Sequence, residues 1–277
     1  MILDNQPMTA GPDWPDDPLR VSSPGSPHTF RAYAHRGGAA ENPENSPAAF
    51  AHAVALGYTH LETDIRPSRD GVAVLHHDSR LDRTTDGTGP VRGQTWANLS
   101  ILRLSDGSAL LRLEELLESH PHTFINVDVK EPGSVPATVA AIARCRAWSR
   151  VCLTSFSGRR LARARRLASP GTESAAHPGE VLALRAALPW PRRPMRLQVP
   201  PTLLGRRLID AEFIERAHAR GYAVDVWTID DRTKMEALID AGVDGIMTDR
   251  PTLLREVLLV RGRWPESPDT PDSNTCS

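Results

Sequence analysis

The sequence predicts a (β/α)8 TIM barrel, an α/β fold, and three observations carry that expectation. Short apolar runs alternate with helical patterns about eight times over roughly 230 residues. A length of 277 residues is normal for a single α/β barrel and ample for its core. Residues able to do chemistry gather at strand ends, where a barrel carries its site. An open, doubly wound sheet is the alternative, because no sequence repeat marks closure.

The chain starts with a Pro-, Asp- and Ser-rich stretch of little periodicity, read as a tail over residues 1–30. The first strand is AYAHR (32–36), and a helix follows over 47–56. THLETDI (59–65) is the second strand. Residues 66–112 then break the alternation with a short strand, VAVLHH (72–77), and a Gly/Thr/Asp-rich loop. That segment is too long for a common βα loop and reads as an insertion on the site face. The alternation resumes with a helix at 113–119, FINVDVK (124–130), a helix at 134–147 and VCLTSF (151–156). A helix at 157–168, the weaker strand TESAAH (172–177), a helix at 179–187 and RLQVP (196–200) come next. Helices at 210–219, 231–240 and 252–260 alternate with AVDVWTI (223–229) and GIMTD (245–249). The barrel is expected over 31–260, with a second tail at 261–277.

Charge and cysteine content exclude several classes. The 33 basic and 34 acidic residues nearly cancel, so no global field selects nucleic acid or an anionic membrane. Arginines 159, 160, 163, 165 and 166 wrap a helix without interleaved aromatics, the pattern of a solvated face. Cys145, Cys152 and Cys276 lack metal spacing and cannot all pair, which favours a reducing compartment. No signal peptide pattern and no membrane-spanning apolar run is visible, so a cytoplasmic location is expected.

Glu62 and Asp64 stand i, i+2 on one strand and so share a face at its C-terminal end. Paired carboxylates repel unless a cation lies between them, which suggests a divalent metal; a solvated edge strand is the bland alternative. Asp128 is a third acid among apolar strand neighbours. Lys130 shares its face, either as an ion pair or as a cation aimed at an anionic substrate. His35 ends the first strand. His76 and His77 point opposite ways on theirs, so at most one of them faces the site. Two histidines from separate segments suit general acid–base work. Gly37 and Gly38 permit a tight turn or a close approach to ligand. Ser46 is an N-cap candidate with Pro47 at the first helical position.

These residues match a family pattern. HRG (35–37), PENS (43–46), ETD (62–64), DGVAVLHHD (70–78) and LDRTTDGTG (81–89) resemble the glycerophosphodiester phosphodiesterases. So do NVDVKEP (126–132), VWTIDD (226–231) and GIMTDRP (245–251), and the resemblance spans roughly 32–258. It implies a barrel with a segment inserted after the second strand. It implies His35 and His77 as an acid–base pair and Glu62, Asp64 and Asp128 as ligands of Mg²⁺ or Ca²⁺. Arg36 and Lys130 match phosphate-contacting cations, and Trp227 a substrate-contacting aromatic. Asp128 stands where the family usually carries a glutamate, one methylene longer. The implied reaction is metal-dependent hydrolysis of a glycerophosphodiester to glycerol 3-phosphate and an alcohol, through a cyclic phosphate. Two alternatives stay open. One is a lysophospholipase D or sphingomyelinase D-like enzyme, which needs an apolar lip; residues 184–207, with Trp190 and Met195, are its candidate. The other is a catalytically weak, glycerophosphodiester-binding barrel. The expected partner is a small-molecule substrate, with no nucleic acid and no stable membrane insertion.

Overall fold

Strand β1 (Arg31–Ala34) opens the fold in this computed structural model, which describes residues 30–188, 196–203 and 206–264. Most of both expected tails, and Trp190 and Met195, lie outside those residues. After β1 come α1 (Pro47–Ala55), β2 (His60–Pro67) and a short β3 (Ala73–Leu75). Then follow α2 (Trp96–Leu99), α3 (Leu113–Ser119), β4 (Phe124–Val129), α4 (Ser134–Arg144) and β5 (Val151–Thr154). The chain continues through α5 (Gly158–Leu167), β6 (Glu173–Ser174), α6 (Pro178–Arg185) and β7 (Arg196–Val199). A small hairpin, β8 (Thr202–Leu203) with β9 (Arg206–Arg207), precedes α7 (Ala211–His218) and β10 (Ala223–Val226). Finally α8 (Arg232–Asp240), β11 (Gly245–Thr248) and α9 (Pro251–Val260) complete it.

The strands settle the architecture as a barrel and not an open sheet. Parallel pairing runs β6-β5-β4-β2-β1-β11-β10-β7. The two ends meet at a parallel bridge between Ala175 and Arg196, with the Ala176 amide donating to the Arg196 carbonyl at 2.8 Å. The closing strand β6 is two residues long, which is why TESAAH is a weak strand in the sequence.

Strand side chains alternate between two faces. Leu61, Ile65, Ile125, Val127, Leu153, Val199, Val224 and Ile246 are buried in the apolar layer between strands and helices. The other face fills the lumen with polar groups. At its lower end, Asp225 accepts from Arg31 Nη2 at 2.7 Å and from the Tyr33 hydroxyl at 3.0 Å. Arg196 donates to that hydroxyl at 3.0 Å and to Glu173 at 2.6 Å, and its guanidinium lies over Phe124. A buried charge set of this kind is tolerable because each charge meets an opposite one. Higher up, Gln198 donates across to Asn126 at 2.8 Å.

The insertion is a small unit of its own. β3 runs antiparallel to the end of β2, with Ile65 opposite Leu75. Behind it Val74, Leu81, Val91, Leu99 and Leu110 form a separate buried cluster. Four-residue α2, capped by Thr95, is part of this unit and gives no periodic signal in the sequence. Near the C-terminal end, Trp264 packs edge-on against Tyr58, with ring centroids 5.1 Å apart.

Candidate active site

The upper mouth of the barrel holds a cavity of about 330 Å³. His35, Arg36, Glu62, Asp64, His77, Asp128, Lys130 and Trp227 all line it. The register explains the carboxylates. Asp64 pairs with Asp128 and Glu62 with Asn126 across β2 and β4, so these four side chains share the lumen face at neighbouring positions.

The first loop is shaped by backbone geometry. Arg36 adopts a left-handed conformation, φ 51°, and its amide donates to Glu62 Oε2 at 3.0 Å. Gly37 and Gly38 follow with φ of 85° and 105°. A Cβ at Gly37 would lie 2.7 Å from the Ala49 side chain, and one at Gly38 2.6 Å from Pro251. The glycines are needed because α1 and α9 press against this turn. Ser46 caps α1 by accepting from the Ala49 amide at 3.0 Å. Asn45 joins the loop to β2. Its carbonyl accepts from Thr63 at 2.7 Å and its amide group lies 3.5 Å from Asp64.

The two histidines are oriented alike. His35 Nδ1 is 2.7 Å from Asp249 Oδ1, and His77 Nδ1 is 2.7 Å from Asp78 Oδ1. A carboxylate can only accept, so each Nδ1 carries the proton and each Nε2 is left for the cavity. His35 Nε2 is 3.8 Å from Glu62 Oε2. Burial works to lower the His35 pKa, but Glu62 and Asp249 outweigh it and hold it above the usual value. Asp249 is in turn fixed by Asp230, which accepts from its amide at 2.7 Å. His76 turns away, bonding the Asp78 carbonyl and Thr84.

Fixed cations stand among the acids. Lys130 Nζ is 2.6 Å from Asp64 Oδ1 and 2.5 Å from Asp128 Oδ2. The ion pair read for Lys130 is present, and the residue also lines the cavity. Arg36 Nε is 3.1 Å from Asp64 Oδ2, and its Nη1 is 3.3 Å from Glu44. Burial would raise the Asp64 pKa, but Lys130 and Arg36 hold it below the usual carboxylate range. Glu62 and Asp128 are raised, first by burial and then by the neighbouring Asp64; at Asp128, Lys130 opposes this.

By donor type alone the set suits a hard divalent ion, whose ligands are carboxylate oxygens. Asp128 Oδ1 is buried without a hydrogen-bond partner, so it has a lone pair to give. As the side chains stand, no group of three or more His, Cys, Asp or Glu among the described residues is arranged to hold an ion. Lys130 occupies the Asp64 and Asp128 oxygens that would have to turn.

Sequence reasoning missed several lining residues. Phe156 stands edge-on to Trp227 with centroids 5.5 Å apart, and Lys130 lies over its ring at 5.7 Å. Asn126 and Gln198 also line the cavity. Asn126 sits two residues before Asp128 and is legible by alternation, whereas Gln198 has no such signal.

Comparison with known proteins points to one family. Residues 35–253 match the model of the glycerophosphoryl diester phosphodiesterase family. A probable glycerophosphodiester phosphodiesterase 2 of Mycobacterium tuberculosis is 40% identical over 243 residues, covering 84% of this chain and 92% of that one. A glycerophosphodiester phosphodiesterase of Caldanaerobacter subterraneus is 30% identical, over 80% of this chain and 94% of that one. The crystal structure of a glycerophosphodiester phosphodiesterase from Agrobacterium tumefaciens superposes with a TM-score of 0.69 at 26% identity, covering 82% of this chain and 98% of that one.

Proposed function

The chain belongs to the glycerophosphoryl diester phosphodiesterase family and is a phosphodiesterase; on that premise we propose that His35 and His77 drive its hydrolysis of glycerophosphodiesters to glycerol 3-phosphate and an alcohol. The observation that carries the mechanism is the pair of imidazoles, each with Nδ1 on a carboxylate, lining one cavity with Arg36 and Lys130.

In this reading His35 takes the proton of the glycerol 2-hydroxyl, whose oxygen attacks phosphorus. His77 gives a proton to the departing alcohol oxygen, leaving a cyclic phosphate. Water then opens the ring, with the two histidines exchanging roles, and the net change is one water added across one P–O bond. Arg36 offers a planar fork to phosphate oxygens and Lys130 a point charge. Both stand where negative charge develops, so they favour the transition state. A divalent ion bound by Glu62, Asp64 and Asp128 would supply Lewis-acid polarisation and alignment of hydroxyl and phosphate oxygens. The two described cysteines, Cys145 and Cys152, are unpaired, which supports a reducing compartment such as the cytoplasm. No helix among the described residues is long and apolar enough to cross a membrane.

The test is release of glycerol 3-phosphate from a panel of choline, ethanolamine, inositol and glycerol diesters, with Mg²⁺, Ca²⁺ and EDTA compared. Turnover that stops in EDTA and returns with one of the ions is expected. An unchanged rate in EDTA removes the metal from the account.

One observation favours a second substrate class. Beyond Lys130 the cavity wall is apolar, formed by Pro178, Val181, Leu208, Trp227 and a Phe156 that is 57% exposed. The acids that line the cavity among the described residues, Glu62, Asp64 and Asp128, stand on its floor. The wall offers no carboxylate to a cationic headgroup, only the faces of Phe156 and Trp227, and its apolar surface suits a chain on the glycerol, the reaction of a lysophospholipase D. Phe156→Ser should then lower kcat/KM for a monoacyl diester and leave chain-free diesters unchanged.

A further inference from the structure

The motif LDRTTDGTG has no part in the mechanism above, yet its arginine is tied to both catalytic loops. Arg83 Nη1 and Nη2 meet Glu44 Oε2 and Oε1 at 2.7 and 2.8 Å, a two-pronged contact. Arg83 Nε meets Asp78 Oδ2 at 2.6 Å. The other oxygen of Asp78 is the one that holds His77 Nδ1. Glu44 also faces Arg36. The chain of contacts thus runs His77, Asp78, Arg83, Glu44, Arg36, and joins the insertion to the loop after β1. Asp78, Arg83 and Glu44 do not line the cavity.

We propose that Arg83 is a positioning residue: by bridging Asp78 to Glu44, it fixes the ring orientation and tautomer in which His77 presents Nε2 to the substrate. The physical case is geometric. Asp78 has two oxygens and one rotatable carboxylate. Left alone in the half-buried bend after β3, it would turn and release His77. A fork clamped by Glu44 on one side removes that freedom. A lone surface pair contributes little, but a bidentate contact inside a charged network does more. The carboxyl of Asp78 is held far below the usual range, first by Arg83 and also by His77, and Glu44 is lowered as well, with Arg83 and Arg36 outweighing burial. Both acids therefore stay ionised as the contacts require.

The kinetic part of this inference rests on the functional reading above, so its test has two arms. In the first, nitrogen-detected histidine NMR reads the His77 tautomer without any substrate. In alkaline buffer, where the imidazole is neutral and a tautomer is defined, the wild-type chain is expected to hold His77 as the Nδ1–H form, and Arg83→Ala to give a mixture. An unchanged tautomer in Arg83→Ala overturns the proposal whatever the enzyme does. In the second, kcat is measured in a double-mutant cycle. Arg83→Ala should lower kcat about ten- to a hundredfold, as loss of outer partners commonly does, with KM little changed. His77→Ala combined with Arg83→Ala should be no slower than His77→Ala alone. Multiplying losses would mean that Arg83 does not act through His77. With a p-nitrophenyl diester, whose leaving group needs no proton from His77, the first-turnover release of p-nitrophenolate by Arg83→Ala should return towards wild type. A deficit that persists there contradicts the positioning role. Arg83→Lys keeps the charge and loses the fork, so it serves as the milder variant if Arg83→Ala unfolds; it too should shift the tautomer. A wild-type chain that turns over no diester would defeat the functional reading, while the NMR arm still decides the role of Arg83.

Discussion

At the residue scale, Gly37 offers a sharp test of the turn. Its φ of 85° and the 2.7 Å approach of a would-be Cβ to Ala49 leave no room for a side chain. Gly37→Ala is expected to destabilise the fold by about 1–3 kcal/mol, the usual cost of a strained backbone position, measured by urea unfolding. The sequence makes this glycine conspicuous but not its reason, because Ala49 approaches it only once α1 is packed on the turn. The i, i+2 spacing of Glu62 and Asp64 did reveal a shared face, since strand alternation is a local rule. Asp249 and Asp78 were not picked out as partners of the histidines, because a hydrogen bond spanning 214 residues leaves no local pattern. Asp78 lies next to His77, and only the three-dimensional turn shows which of the two adjacent histidines it holds.

At the element scale, α1 links helix initiation to the site. Ser46 accepts from the Ala49 amide, and Pro47 starts the helix with its φ already set. Ser46→Ala should cost about 1 kcal/mol, the typical value of an N-cap, read from the thermal midpoint. The strand and helix positions were largely legible, because the helix-facing side of each strand is apolar and each helix buries one stripe. The two-residue β6 was legible only as the weak strand TESAAH, and the β8–β9 hairpin not at all, being too short to show a period. The insertion was visible as an interruption, while its own small core was not, since Val74, Leu81, Val91, Leu99 and Leu110 come together only through the fold. On α5 the arginines divide in their surroundings. Arg159, Arg163 and Arg166 are exposed, as a solvated face requires, whereas Arg165 is bound to Glu180 and Ser174.

At the scale of the whole molecule, the barrel lumen has a charged base and a catalytic mouth. Asp225, 1% exposed at its side chain, holds Arg31 and Tyr33 together. Removing it leaves a buried cation unpaired, so Asp225→Ala should cost about 3–5 kcal/mol by chemical denaturation. His60, packed between Tyr33 and Phe124, makes the fold sensitive to acid. Burial, then Arg196 and Arg31, push its pKa well below the ordinary value. The folded chain therefore keeps His60 neutral while the unfolded chain takes up a proton below about pH 6.5. The unfolded state binds more protons there, so stability should fall as pH drops below that point, by at most about 1.4 kcal/mol per pH unit from this residue. His60→Asn should flatten that slope in denaturation curves taken from pH 7 to 5. The central claim is that His35 and His77 together move the protons of phosphodiester cleavage. It is tested most directly by kcat for glycerol 3-phosphate release in His35→Gln and His77→Gln, with folding checked by circular dichroism. The account predicts a loss of about a hundredfold or more in each folded variant; turnover close to wild type in both would contradict it.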